Sequence, residues 1–182
     1  MFQYKWDMIS GFFTISHSSF FHIFLAPLLI IIMSLAGKIS IEIGVHATAA
    51  KWFNIFAKQL HQVQNLTDRV HGTKLHHGQD WHHKESIKNW TYTIDGKVTT
   101  CQESIESVDE ANKRITYKLF GGDIGHKYKV FKLTLEAIDD RGSAITKWSI
   151  EYERIGEGID PPYGYLEYLH TLSREIDANL KA

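Results

Sequence analysis

Cysteine occurs once in 182 residues, at Cys101, and proline only three times. A single thiol excludes an internal disulfide, so nothing marks the chain as a stapled secreted scaffold. Charge of either sign is in no excess: the formal net charge is −1 and the pI is near 6.8. That balance gives nucleic acid and anionic lipid no electrostatic handle, and neither nucleic acid nor membrane is expected as a partner. Internal repeats and low-complexity tracts are absent, and no linker separates two folding units beyond Lys38. There is no Gly-x-Ser-x-Gly elbow and no nucleophile with an evident base and orienter. No catalytic residue and no cofactor is therefore expected.

Long apolar runs are scarce as well. Phe20 to Met33 is broken by His22 and Pro27 and falls short of the roughly 20 residues that a spanning helix needs. Three readings of the first 32 residues stay open. They are an extension upstream of a functional start at Met33, a secretory signal, or a membrane anchor. Ser34-Leu35-Ala36 offers small residues for cleavage before Gly37. Against a signal, the stretch before the apolar run holds only Lys5 as a cation, and Asp7 cancels it. Asn65-Leu-Thr67 and Asn89-Trp-Thr91 become glycosylation sequons if the chain is secreted. The expected division is 1–32 as a non-domain extension and 33–182 as one domain of ordinary length.

What the chain has in quantity is aromatic side chains, 13% of the total, much of it in alternating runs beyond Met33. Ile39, Ile41, Ile43 and Val45 alternate with small or polar residues, which predicts a half-buried strand. Thr48 is placed to cap a helix from Ala49 to about Leu60, with Trp52, Phe53 and Phe56 on one side. Gln59 to Asp68 is ambiguous between loop and a second short helix. Arg69–Leu75 reads as a strand and His76–His83 as a loop. Five more strands follow: Ile87–Ile94, Val98–Val108, Arg114–Phe120, Lys127–Ile138 and Ser143–Ile155. Asp95-Gly96 is a strong hairpin signal, and Gly121-Gly122-Asp123 is expected to open a longer loop. After Asp160-Pro161-Pro162 the period turns helical, with Tyr165, Leu169, Leu172, Ile176 and Leu180 in one stripe and Pro162 suited to the first turn. A curved antiparallel sheet closed on its apolar face by one long helix satisfies this order, an α+β arrangement.

The motifs Met33-Ser-Leu-Ala-Gly-Lys38, Trp90-Thr-Tyr-Thr-Ile-Asp-Gly-Lys97 and Val108-Asp-Glu-Ala-Asn-Lys113 follow one another in order. Gly122-Asp123, Tyr128-Lys-Val-Phe-Lys132 and Trp148-Ser-Ile-Glu-Tyr-Glu153 continue the series. With them the chain resembles the major latex protein branch of the birch-pollen-allergen (Bet v I-like) superfamily, from Met33 to about Leu180. The resemblance implies a helix-grip, START-like fold: a seven-stranded antiparallel sheet wrapped around a long carboxy-terminal helix, with two short helices between the first and second strands. It also implies a large hydrophobic cavity for plant sterols, fatty acids, hormones or alkaloid precursors, a cytoplasmic location, and a link to defence and stress. Some relatives of this fold catalyse condensations or isomerisations. Many carry a glycine-rich loop between the second and third strands. Here His76-His-Gly-Gln-Asp-Trp-His-His83 stands in its place with one glycine, too few for a backbone phosphate cradle.

The expected ligand cavity is lined by the inward residues Trp90, Tyr92, Ile115, Tyr117, Phe131, Leu133, Trp148 and Ile150. Each alone is better explained as core; together they leave a concave interior with polar tips that want partners. Leu169 and His170 on the long helix join this set, His170 standing either at the cavity or at a wet rim. His76, His77, His82 and His83 around Asp80 suggest a metal chemically, yet adjacent histidines on extended chain point apart, so no metal site is expected. Cys101, mid-strand, reads as an inert thiol. Glu103, Lys118 and Tyr117 are the groups an enzyme of this architecture would use, without geometry to choose among them.

Overall fold

The structure, a computed structural model, describes residues 34–181. The apolar run 20–33, a start at Met33 and the division at residue 32 lie outside the described residues.

Seven strands form one antiparallel sheet in the order β1-β7-β6-β5-β4-β3-β2. β1 (Ala36–Val45) is followed by helix α1 (Ala49–Lys58), a single 3-10 turn at Leu60–Gln62 and the short helix α2 (Val63–Leu66). β2 (Val70–His77), β3 (Ile87–Ile94), β4 (Lys97–Asp109) and β5 (Arg114–Phe120) come next. A one-turn helix α3 (Gly122–Gly125), β6 (Tyr128–Asp140), β7 (Ser143–Arg154) and the long helix α4 (Gly164–Lys181) complete the chain. Among the described residues no helix is long and apolar enough to cross a membrane.

Local chemistry explains the connections. The hairpins β3–β4 and β6–β7 turn through Asp95-Gly96 (φ 50° and 72°) and Arg141-Gly142 (φ 48° and 94°), the left-handed pairs whose twist matches the strands they join. Register shifts fall in β2, in β4 between Ile105 and Ser107, and in β6 between Tyr128 and Val130. Extra residues of this kind increase twist and bend a strand, so the sheet curls toward its apolar side. In register across that side lie Ile41 with Trp148, Trp148 with Leu135, and Tyr117 with Leu133. The Thr48 hydroxyl accepts the Lys51 amide at 3.3 Å and caps α1, whose Trp52, Phe53, Ile55 and Phe56 are buried.

The predicted loop at Gly121-Gly122-Asp123 is instead the turn α3. The Asp123 carboxylate accepts the Thr100 amide at 2.7 Å and its hydroxyl at 2.9 Å, pinning α3 to β4. Gly122 has φ 48°, and a Cβ there would sit 2.5 Å from the Thr100 carbonyl oxygen, so a side chain is excluded on both counts. Pro162 also lies just ahead of α4 rather than in its first turn, in a bend where the Tyr165 amide bonds the Pro162 carbonyl at 3.1 Å.

Helix α4 lies on the concave face and buries Leu169, Leu172 and Ile176. Its second half is clamped by polar contacts. Ser173 Oγ accepts the Trp148 indole N–H at 3.0 Å, both side chains buried. Asp177, 3% exposed, accepts the backbone amides of His46 and Ala47 at 2.9 Å each and contacts His46 Nδ1 at 2.8 Å. One carboxylate thus binds the bend between β1 and α1 to the far end of α4.

Candidate functional site

Strands β2 to β7, helices α1 and α2, and the first half of α4 surround a cavity of about 80 Å³. Its wall is almost wholly apolar. Phe56, Leu60, Val63 and Val70 close the helical end; Trp90, Tyr92, Tyr117, Leu119, Leu133 and Trp148 come from the sheet; Tyr165, Tyr168, Leu169 and Leu172 come from α4. Strand alternation puts the sheet residues there, and the i, i+3, i+4 spacing of Tyr165, Tyr168 and Leu169 supplies the lid.

Six of the ten residues predicted for the cavity stand on its wall: Trp90, Tyr92, Tyr117, Leu133, Trp148 and Leu169. Ile115, Phe131 and Ile150 do not; they are packed core, at most 1% exposed. Ile150 is enclosed between Ile39 and Leu133 on the neighbouring strands. The Phe131 ring is wedged between Tyr128 and Tyr165, with centroids 5.2 and 4.9 Å away. His170 is exposed, because one residue beyond Leu169 is a rotation of about 100° around the helix, away from the apolar stripe.

The hollow is small against the large cavity that the resemblance implies. It has room for several waters, since one needs roughly 10–15 Å³ of such space, but a drug-sized guest occupies a pocket of about 300 Å³ or more. Tyrosine rings fill the difference. Tyr92 lies 5.4 Å from Tyr168 and 6.2 Å from Tyr165, centroid to centroid. The Tyr92 and Tyr165 hydroxyls share a hydrogen bond of 2.8 Å, and the Tyr117 hydroxyl donates to the Phe56 carbonyl at 2.9 Å. Burial pushes the Tyr92 and Tyr117 phenols well above their ordinary value, so both stay protonated donors. Burial also pushes the Cys101 thiol up to about 12, which removes the thiolate that reactivity requires.

One charged pair interrupts the apolar wall. Lys88 on β3 and Glu103 on β4 are direct cross-strand partners, with Nζ 3.1 Å from Oε1 and side chains 0% and 7% exposed. Burial raises the Glu103 carboxyl; the adjacent Lys88 ammonium opposes that rise. Glu103 reaches the cavity, whereas Lys88, beside it on the same inward face, is not on the wall. The Trp90 indole N–H, also on the wall, is buried with no hydrogen-bond partner among the described residues. It lies near enough to Glu103 to favour the ionised carboxylate weakly, but outside hydrogen-bonding geometry.

Sequence reasoning offers Glu103 only as a group for chemistry and does not reach Tyr168 or Cys101; the structure puts all three on the cavity wall, with Lys88 beside Glu103. The signal was present: Lys88 is in phase with Trp90, Tyr92 and Ile94, and Glu103 is in phase with Cys101 and Ile105. Charged residues at inward positions of strands are anomalies that alternation exposes. Lys118, the third group considered for chemistry, is exposed.

The histidine-rich connection between β2 and β3 lies over the helical end. His76, His77 and His83 are exposed, while His82 is half-buried with its ring 6.3 Å from that of His61. Asp80 Oδ1 accepts the amides of His82 and His83 at 2.7 and 2.8 Å, so it stabilises the turn. Among the described residues no group of three or more His, Cys, Asp or Glu side chains is arranged to hold a metal.

The family model for the pathogenesis-related protein Bet v 1 family matches residues 34–182. The chain is 38% identical to MLP-like protein 43 of Arabidopsis thaliana over 152 residues, 82% of this chain and 96% of that one. It is 33% identical to major latex protein 22 of Papaver somniferum over 154 residues, 83% of this chain and 94% of that one. The crystal structure of ginseng major latex-like protein 151 from Panax ginseng superposes with a TM-score of 0.76 at 28% identity, covering 80% of this chain and 98% of that one.

Proposed function

The chain belongs to the pathogenesis-related protein Bet v 1 family, in its major latex branch, a fold that binds hydrophobic ligands generally, and from that premise we propose that it carries or buffers small hydrophobic plant metabolites of sterol, fatty acid, hormone or alkaloid type. The site is the cavity beneath α4, the setting the plant cytoplasm and its defence and stress responses. The observation that carries this reading is a hollow, nearly continuous apolar wall under a helix that is clamped at one end only. Trp148–Ser173 and the Asp177 contacts fasten the second half of α4. Over the cavity, one Tyr92–Tyr165 hydrogen bond, worth about 1 kcal/mol, joins its first half to β3. Outward movement of Tyr165 and Tyr168 is the cheapest way to enlarge the space. A guest that loses roughly 200 Å² of apolar surface to this wall gains about 5 kcal/mol before ordering costs. No chemistry of the protein's own is assigned.

Native mass spectrometry of protein purified from its source, with identification of the released molecule, tests carriage directly. Filling the hollow tests the location: Leu169→Trp is expected to cut the capacity for a fluorescent lipid probe at least several-fold while far-ultraviolet circular dichroism stays unchanged. An unchanged titration would refute the cavity as the site. A second reading, an enzyme of the same fold acting on a secondary metabolite, has one observation behind it: a buried carboxyl with a raised pKa on a cavity wall is a group of the kind that catalysis uses. Turnover in a metabolite extract that disappears with Glu103→Gln, while far-ultraviolet circular dichroism shows the variant folded, distinguishes it from carriage. Secretion is the alternative to the cytoplasm, and a mature terminus at Gly37 would support it. Such a cut would remove the Ser34 and Leu35 carbonyls that accept from Arg154 at 3.1 and 2.9 Å.

A further inference from the structure

Two features of the cavity wall stay unexplained by packing. The first is the Trp90 indole N–H, which finds no acceptor among the described residues although Trp90 is only 9% exposed. An unsatisfied buried donor costs about 1–3 kcal/mol and marks a place where something else supplies the acceptor. The second is Glu103. Its Oε1 accepts from Lys88, while Oε2 takes no hydrogen bond from the described residues, and the side chain reaches the hollow.

Register brings the two together. Trp90 faces Cys101 and Lys88 faces Glu103 across the β3–β4 ladder, so Trp90 and Glu103 are diagonal neighbours on the inward face, within reach of long side chains. The wall therefore offers a donor that nearby Glu103 does not meet in hydrogen-bonding geometry and a carboxylate oxygen with no other donor among the described residues, side by side, with apolar surface around them. A hydroxyl satisfies both at once, because its oxygen accepts from Trp90 Nε1 while its O–H donates to Glu103 Oε2. A carboxylate satisfies only the first and sets its charge against Glu103. Lys88, 3.1 Å from Glu103 Oε1, offsets part of that repulsion, but it is not on the cavity wall and gives the guest no hydrogen bond.

We infer that Trp90 and Glu103 form a polar subsite selecting uncharged apolar guests that carry a hydroxyl, and rejecting the matching carboxylates. This rests on the carriage reading and narrows its ligand classes: alcohols are accepted and free fatty acids are disfavoured.

Three probes of one shape and small size test it at neutral pH: methylcyclohexane, cyclohexylmethanol and cyclohexanecarboxylate. Binding is followed on full-length protein through the nitrogen-15 and proton shifts of the tryptophan indole groups, the Trp90 signal being assigned as the one lost in Trp90→Phe. The alcohol is expected to bind about tenfold or more tightly than the carboxylate and to move the Trp90 indole signal. In Trp90→Phe its advantage over methylcyclohexane should fall several-fold. Glu103→Gln alone leaves Lys88 buried and unpaired and can unfold the chain. The double variant Lys88→Met/Glu103→Leu keeps an apolar interior of similar volume and should erase the preference for alcohol over hydrocarbon. Equal binding of all three probes, or an alcohol preference that survives the double variant, overturns the subsite and leaves carriage standing. If none of the three binds and a larger fluorescent lipid probe also fails, the carriage reading falls and the subsite with it.

Discussion

Replacing Asp177 by alanine removes the only carboxylate that, among the described residues, joins α4 to the bend between β1 and α1. Its oxygens accept the His46 amide at 2.9 and 3.0 Å and the Ala47 amide at 2.9 Å, and Oδ2 meets His46 Nδ1 at 2.8 Å. Hydrogen bonds to a charged acceptor contribute about 1.5–3 kcal/mol each. With His46 itself largely exposed, water can replace part of this, so the low end applies and the two amides together suggest a loss of about 3 kcal/mol. For a domain of this size that lowers the melting temperature by about 6–12 °C. The effect is also pH-dependent. Burial opposes ionisation of Asp177, but the hydrogen bonds from His46 and Ala47 outweigh it and hold the carboxyl below its ordinary value of 3.8. Because the folded value is the lower one, the stabilisation is complete above the ordinary value and drains away as pH falls through the folded value. Urea unfolding of both proteins from pH 6 down to 3 should show a constant gap above about pH 5 that narrows below about pH 4. Hydrogen exchange adds a spatial check: in the wild type, amides in the first half of α4 should exchange faster than those around Ser173 and Asp177, and the variant should level them. A loss under about 0.5 kcal/mol, or a gap that ignores pH, would refute the clamp and with it the one-ended opening of α4.

Lys88→Met alone strands the Glu103 carboxylate in a buried site and is expected to cost about 3–5 kcal/mol, whereas Lys88→Met/Glu103→Leu should return most of it; chemical denaturation of the two decides. Cys101, with its thiol pushed up to about 12 by burial, should react with a disulfide reagent at pH 8 only on the timescale of global unfolding. Fast labelling of native protein would place it in a mobile wall instead.

Much of the architecture was already written in local pattern. Alternation at Ile39–Val45, Ile87–Ile94 and Ser143–Ile155 specified strands and their inward faces, because the side-chain period of two is a property of extended backbone. Asp95-Gly96 determined a hairpin, because its two residues accept the left-handed conformation that a tight turn between twisted strands requires. The apolar stripe from Tyr165 to Leu180 determined a helix with one buried face.

What pattern left undecided is distance across the interior. Ile150 and Trp148 share a face of β7, yet one is sealed in core and the other borders the hollow. Both have apolar neighbours on the flanking strands, Ile39 and Leu133 for one, Ile41 and Leu135 for the other, so their fates depend on what stands over them from outside the sheet. His170 and Leu169 differ by one helical step, and only the docking of α4 assigned one to solvent and the other to the cavity. Lys88 and Glu103 sit inward by alternation, but a charge there is tolerable only because strand register sets each beside the other. Sequence thus settled which way each side chain faces, since that follows from backbone period alone. The tertiary structure settled what it faces, since the space between sheet and helix is set by residues far apart along the chain.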